Sequence, residues 1–214
     1  MIRIVDGRFR YNYPEEIDQM HKLRKKVFHE RMGWDVSVVN SWEIDGYDAL
    51  SPLYLIYIDQ LGLVGGSLRL LPTTGFTMIN DTFSCLLPDS KRIESPLIWE
   101  SSRFSVDHEA DGAIGKKGIS RVTAELGLAM NEIGMQVGLT HIVTVYDGLM
   151  HRILSRAGCA GEPISAPQKI GKILSYAVFF EIGMATDAAL RAASELEGSV
   201  LESRAEIPTM SRAA

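Results

Sequence analysis

The sequence predicts an α/β fold, one mixed sheet with helices on both faces. Two observations carry this. The front half follows a first strand and helix with three strand-like runs and no helix between them, as in an antiparallel meander. The back half alternates strands with helical stretches, the pattern of β-α-β crossovers that bury a sheet under helices. A third observation bears on function. "SPLIWESSRFSVD" (95–107) has the Ile98, Trp99, Phe104 and Val106 of a buried strand, yet carries Glu100 and Arg103 in its middle.

The elements follow in order. "IRIVD" (2–6) is a short strand. "PEEIDQMHKLRKKVFHERM" (14–32) opens with Pro14 and two glutamates, as a helix N-terminus prefers. Ile17, Met20, Leu23 and Val27 form its apolar stripe; Arg24, Phe28 and Arg31 lie on an adjoining one. A long loop rich in aromatics and acids runs to residue 52, and loops of that length are functional or disordered. "LYLIYID" and "LVGGSLRLL" read as a hairpin. A second irregular stretch precedes the 95–107 strand. "ISRVTAELGLAMNEIGMQVG" (119–138) is a helix buried through Ile119, Val122, Leu126, Met130, Ile133 and Val137. "THIVTVYD" is a strand, "GLMHRILSRAG" a helix closed by Gly158, and "KILSYAVFFEI" the last strand. A polar, Ala-rich helix over 185–205 docks weakly or frays. Residues 1–184 are expected to form one domain, with 185–214 a terminal helix and tail.

The bulk numbers exclude several classes. The 214 residues carry a net charge of −5, so the protein as a whole is not a polybasic nucleic-acid binder. No run reaches the ~18 apolar residues of a membrane span. The charged N-terminus is no signal peptide. Cys85 and Cys159 lack metal or disulfide spacing, and the five histidines show no HxxxH pattern, so no metal is expected. These features predict a cytoplasmic protein.

The element order resembles that of the GNAT-type acyltransferases. The resemblance implies a sheet splayed between its fourth and fifth strands, where a pantetheine thioester inserts, with a bulge in the fourth strand. A bulge adds one residue and resets the strand's alternation. Placed at Ser101–Ser102, it turns Glu100 and Arg103 toward one cleft; a partly exposed strand with a chance i, i+3 charge pair fits that segment equally well. "AIGKKGISR" resembles a weak phosphate loop at a helix start, and a helix entry with solvated lysines explains it as readily.

Other charges sit in apolar settings. Arg69 lies within "GGSLRLLPT", and "EIDGYD" supplies Glu43, Asp45 and Asp48. Buried charges are costly unless paired, so Arg69, Glu100 and Arg103 need Asp45 or Asp48 to balance them. "RKKVFHERMGWDV", "EIDGYD", "YLIYID", "GGSLRLLPT", "DTFSCLLP" and "WESSRFSVD" occur in order and at suitable spacings over residues 1–182. Together they resemble the acyl-homoserine-lactone synthases, the LuxI-type autoinducer synthases.

The resemblance implies two substrates, S-adenosylmethionine and an acylated acyl carrier protein, with no cofactor. The products would be an N-acyl-homoserine lactone, 5′-methylthioadenosine and free carrier protein. It further implies a functional set of Arg24, Phe28, Trp34, Asp45, Asp48, Arg69, Glu100 and Arg103, with Phe83 keeping an aromatic position. Glu100 is the candidate base for the substrate amine. Asp45 and Asp48 would balance positive charge, Phe28 and Trp34 would lie near the sulfonium or adenine, and Arg69 or Arg103 would pair the carboxylate. Thr144 falls where members making 3-oxo products often carry Thr, as a donor to that oxo group. Met130, Leu149, Leu154 and Phe179 would set tunnel depth. Lys116, Lys117, Arg121, Arg152, Arg156, Lys169 and Lys172 would form a basic face for the acidic carrier. The competing readings are a CoA-dependent N-acetyltransferase and a catalytically inactive binding module on the same fold.

Overall fold

In the computed structural model, which describes residues 1–107, 109 and 118–202, six long strands lie side by side in chain order. They are β1 (Ile2–Asp6), β2 (Leu53–Ile58), β3 (Val64–Pro72), β4 (Ile98–Val106), β5 (His141–Asp147) and β6 (Ile173–Glu181). β1 to β4 form the antiparallel ladder that the meander predicts. β4 and β5 run parallel, joined through helix α2 (Arg121–Val137).

The second expected crossover is absent, since β5 and β6 are antiparallel. After helix α3 (Gly148–Ala157), residues 162–170 make the return run along the sheet. Within that run Glu162–Pro163 and Gln168–Ile170 pair with β6 from its far side. A turn at Gly171, φ +60°, then sends β6 back antiparallel to β5.

Alternation along the strands sorts two cores onto opposite faces. Tyr54 and Ile56 of β2 join Val5 and Val64 beneath helix α1 (Pro14–Arg24), contributed by Ile17, Met20 and Leu23. Leu53, Leu55, Leu68 and Leu70 turn the other way, onto Val122, Leu126 and Ile133 of α2. Val137, expected on that buried face, is exposed in the last turn. Gly66 allows β3 its approach to α2, because a Cβ there would stand 2.5 Å from Val122 Cγ1.

The terminal helix α4 (Met184–Ser194) is shorter than expected, ending where Glu195 turns left-handed. It buries Leu190 and Ala193, and Arg191 reaches Glu132 of α2 at 3.1 Å. The chain beyond it bonds β1, with the Ile2 amide donating to Val200 and the Glu202 amide donating to Ile2. Among the described residues no helix is long and apolar enough to cross a membrane.

Candidate active site

The β3–β4 register places Arg69 opposite Ser102 and Ser67 opposite Ser105, so Arg103 and Phe104 together face Leu68. The bulge therefore exists, but two residues beyond the expected Ser101–Ser102. Its first residue, Arg103, has φ +53°. A non-glycine residue in that region costs on the order of 1–3 kcal/mol, which the ion pairs of its side chain offset. Phe104 turns into the α2 core. Arg103 swings to the side of Arg69, where Glu100 and Ser102 already point. The two charges of the 95–107 strand thus converge.

Three arginines and three carboxylates close on one another there. Arg24, from the end of α1, donates to Glu43 at 2.6 Å and to both Asp48 oxygens at 2.8 and 3.0 Å. Arg69 donates to Asp45 at 2.6 and 3.1 Å and to Asp48 at 3.0 Å. Arg103 reaches Glu43 at 3.0 Å and Asp45 at 2.8 Å. A capping box at Asp45–Asp48 folds "DGYD" into a turn that aims both carboxylates inward. The count of charges is balanced, which is what permits their burial.

Access is uneven. The Arg24, Glu43, Asp48 and Arg69 side chains are at most 2% exposed, whereas Arg103 is 9% and Asp45 15% exposed. Burial opposes the charge on Asp48, but the Arg24 hydrogen bonds and the charges of Arg24 and Arg69 hold its carboxyl far below the usual range. Burial and the neighbouring Asp48 push the Tyr54 hydroxyl, which donates to Asp48 at 2.9 Å, well above its ordinary value.

Glu100 stands apart from this network, and among the described residues no arginine hydrogen-bonds it. Its two oxygens accept the amides of Met78, at 3.0 Å, and Ile79, in the short helix Met78–Asp81. Burial pushes its carboxyl up to about 7, against the two amides and the Arg69 charge, which favour the ionised form. A carboxyl in that range takes a proton at neutral pH, as a general base must.

The aromatic residues divide. Phe28 stacks on Trp34 at 5.4 Å between ring centroids, and the Arg103 guanidinium lies 5.4 Å from the Phe28 ring. A π-helical turn over Lys25–Arg31 continues α1 and carries Phe28. The Trp34 Nε1 is buried and has no hydrogen-bond partner among the described residues. Phe83 lies elsewhere, packed with Ile79, Val143 and Ala177.

β4 and β5 pair from Ile98–His141 to Ser101–Thr144, and the recorded pairing stops there. This is the expected splay, one residue past Glu100. Thr144 sits at the fork, but its hydroxyl donates to the Ser101 carbonyl at 2.8 Å. The proton expected to meet a 3-oxo group is engaged in capping the first carbonyl freed where the strands part. The four expected tunnel residues do not share one wall. Met130, Phe179 and Leu154 pack in three different clusters, and Leu149 is 56% exposed. Arg121, Arg152, Arg156, Lys169 and Lys172 are exposed; Lys116, Lys117 and most of "AIGKKGISR" lie outside the described residues.

Three participants escaped the sequence reading. Glu43, seen in "EIDGYD" but given no role, bridges Arg24 and Arg103. His21 pins the Glu43 carbonyl through Nδ1 at 2.8 Å and stacks on Trp42. Met78 meets two guanidiniums. A glutamate two residues before Asp45 was a readable signal; a buried methionine in an irregular stretch was not.

The chain matches the model of the autoinducer synthase family over residues 9–190. It is 39% identical over 176 residues to an acyl-homoserine-lactone synthase of Pseudomonas aeruginosa, covering 81% of this chain and 86% of that protein. It is 38% identical to one of Agrobacterium fabrum, covering 77% and 78%. The crystal structure of the synthase LasI superposes with a TM-score of 0.78 at 35% identity, over 92% of this chain and 98% of that one. An acyl-CoA N-acyltransferase of Pseudomonas aeruginosa shares the fold at a TM-score of 0.54 and 12% identity, over 84% of this chain and 98% of that one. A large mixed sheet that forks beside a buried carboxyl, and a family match over most of the chain, lead to one conclusion: the protein belongs to the autoinducer synthase family, as an acyl-homoserine-lactone synthase.

Proposed function

We propose that the enzyme acylates the amine of S-adenosylmethionine from an acyl-carrier-protein thioester and then closes the lactone, without a further cofactor. The observation that carries this reading is Glu100, a buried carboxyl poised near 7 beside the fork of β4 and β5. The α-ammonium gives its proton to Glu100, directly or through a water. The free amine attacks the thioester carbon, the amide bond forms, and the thiol leaves carrying a proton. Such base assistance is typically worth about 10²–10⁴ in rate. The substrate carboxylate then attacks its own γ-carbon, the C–S bond breaks, and neutral methylthioadenosine departs. The sulfonium is already a good leaving group, so positioning carries this second step.

The exposures support a division of the polar roles. Arg103 and Asp45 are the open members of the network, so Arg103 takes the substrate carboxylate and Asp45 the cationic centre. Trp34, with its unpartnered Nε1 and its stack on Phe28, takes the adenine or sulfonium. Arg24, Asp48 and Arg69 hold those groups in place. Arg152, Arg156, Lys169 and Lys172 offer a basic face to an acidic carrier, with the protein's net charge negative.

The solved structure of BjaI, described as a CoA-dependent acyl-homoserine lactone synthase with S-adenosylmethionine and isopentyl-CoA, superposes at a TM-score of 0.81 and 23% identity, over 94% of this chain and 92% of that one. The donor is therefore the part to test. Purified enzyme is given S-adenosylmethionine with acyl-carrier protein or with acyl-CoA of equal chain length. Thiol and methylthioadenosine should appear in equal amounts with the carrier. Turnover with acyl-CoA alone replaces the carrier as donor; turnover with neither overturns the reading.

A further inference from the structure

We propose that Met78 is a positioning residue that couples Glu100 to the arginine pair through two separate atoms, its amide nitrogen and its sulfur. This rests on the function proposed above and extends it to a residue outside the charged set. The Met78 amide donates to Glu100 Oε2 at 3.0 Å. Its carbonyl accepts the amides of Thr82 and Phe83, each at 2.8 Å, which closes the short helix on itself. Its sulfur lies 3.3 Å from Arg69 Nη2 and 3.4 Å from Arg103 Nη1. One residue thus touches the base and both guanidiniums of the site's bulged side.

The chemistry of the thioether suits this place. Arg69 and Arg103 otherwise bond the carboxylates of Glu43, Asp45 and Asp48 and the Ser102 hydroxyl. The three arginines are already matched by three carboxylates. A fourth carboxylate at 78 would add a negative charge beside Glu100 and alter its titration. An aliphatic side chain would leave two buried N–H groups without an acceptor. Sulfur is a weak, polarisable and uncharged acceptor on a flexible side chain, so it satisfies both guanidiniums without changing the charge balance. Since Met78 is only 7% exposed, its sulfur is held in place by packing.

The side chain and the main chain therefore separate in their consequences. Met78→Leu keeps the volume and the amide that holds Glu100, and removes only the acceptor. We expect KM for S-adenosylmethionine to rise roughly tenfold, through Arg103, while the pH midpoint of turnover stays where wild type has it. Met78→Gln restores an uncharged acceptor and should recover most of that loss; a role in packing alone predicts the reverse order, with Leu tolerated and Gln not. S-adenosylmethionine binding measured by calorimetry without any acyl donor should follow the same order. Wild-type KM and affinity in Met78→Leu, with wild type turning over normally, would overturn the coupling. Absence of methylthioadenosine from wild type itself would instead remove the proposed function, and the role of Met78 with it.

Discussion

The Arg103 guanidinium lies 2.8 Å from an Asp45 carboxylate oxygen, and these two groups are the open edge of a network whose other members are sealed. A ligand carrying both a carboxylate and a cationic centre can exchange onto this pair one partner at a time, without leaving a buried charge uncompensated. The inner pairs, Arg24 with Glu43 and Arg24 with Asp48, offer no such exchange.

Arg24 and Arg103 should therefore fail differently. Arg24→Ala strands two buried carboxylates and should cost about 3–5 kcal/mol of stability, read as the midpoint of denaturant unfolding. Arg103→Gly keeps the bulge, because glycine accepts φ > 0, and should mainly raise KM for S-adenosylmethionine. Equal destabilisation by both would contradict the division into inner and open members.

Turnover should rise with pH through about 7, as the buried Glu100 carboxyl ionises. Since its folded value is raised, its contribution to stability is fully present below the unfolded value near 4.5 and is lost as pH rises through about 7. Activity and this part of the stability thus move in opposite directions. Glu100→Gln should bind S-adenosylmethionine but lose about 10²-fold or more in turnover. A flat pH–rate profile from about pH 6 to about pH 8 in wild type would remove Glu100 as the base.

Asp48 works with the opposite sign. Its folded carboxyl is held low by the two arginines, so its stabilisation is present above the unfolded value near 3.8 and is lost as pH falls below it. Asp48→Asn should destabilise by about 3–5 kcal/mol at neutral pH. The gap between variant and wild type should narrow on acidification below about 4; a gap that stays constant would show that the carboxylate charge is not what stabilises.

Thr144→Val should lower the thermal midpoint, because the Ser101 carbonyl loses its hydroxyl donor. In competition between 3-oxo and unsubstituted donors of equal length, the product ratio should stay within about twofold of wild type. A larger loss of 3-oxo product would show that the hydroxyl turns from Ser101 to the substrate.

Reversing the charge of Arg152 and Arg156 should raise KM for the carrier-protein donor and leave KM for S-adenosylmethionine unchanged. The effect should shrink as salt is added, since exposed charges are screened within about 8 Å at physiological ionic strength. If added salt has no influence on the wild-type KM for the carrier, electrostatic docking on this face is wrong.

Periodicity and residue type determined much of this protein. They carried the strands and helices, the meander and the parallel crossover from β4 to β5, because period and caps are local properties; the bulge in the 95–107 strand came from the resemblance of the element order to the GNAT-type acyltransferases. The eight charged and aromatic residues from Arg24 to Arg103 came from a resemblance spread over several elements. The tertiary structure decided what lies between elements. It set the bulge at Arg103 rather than at the serines, because the ion pairs with Glu43 and Asp45 hold that residue in a left-handed conformation. It turned β6 antiparallel, because residues 162–170 make the return run. It gave Glu100 two backbone amides from an irregular stretch, and gave the Thr144 proton to Ser101. Each of these depends on which groups meet across tens of residues of chain, and no local pattern encodes such a meeting.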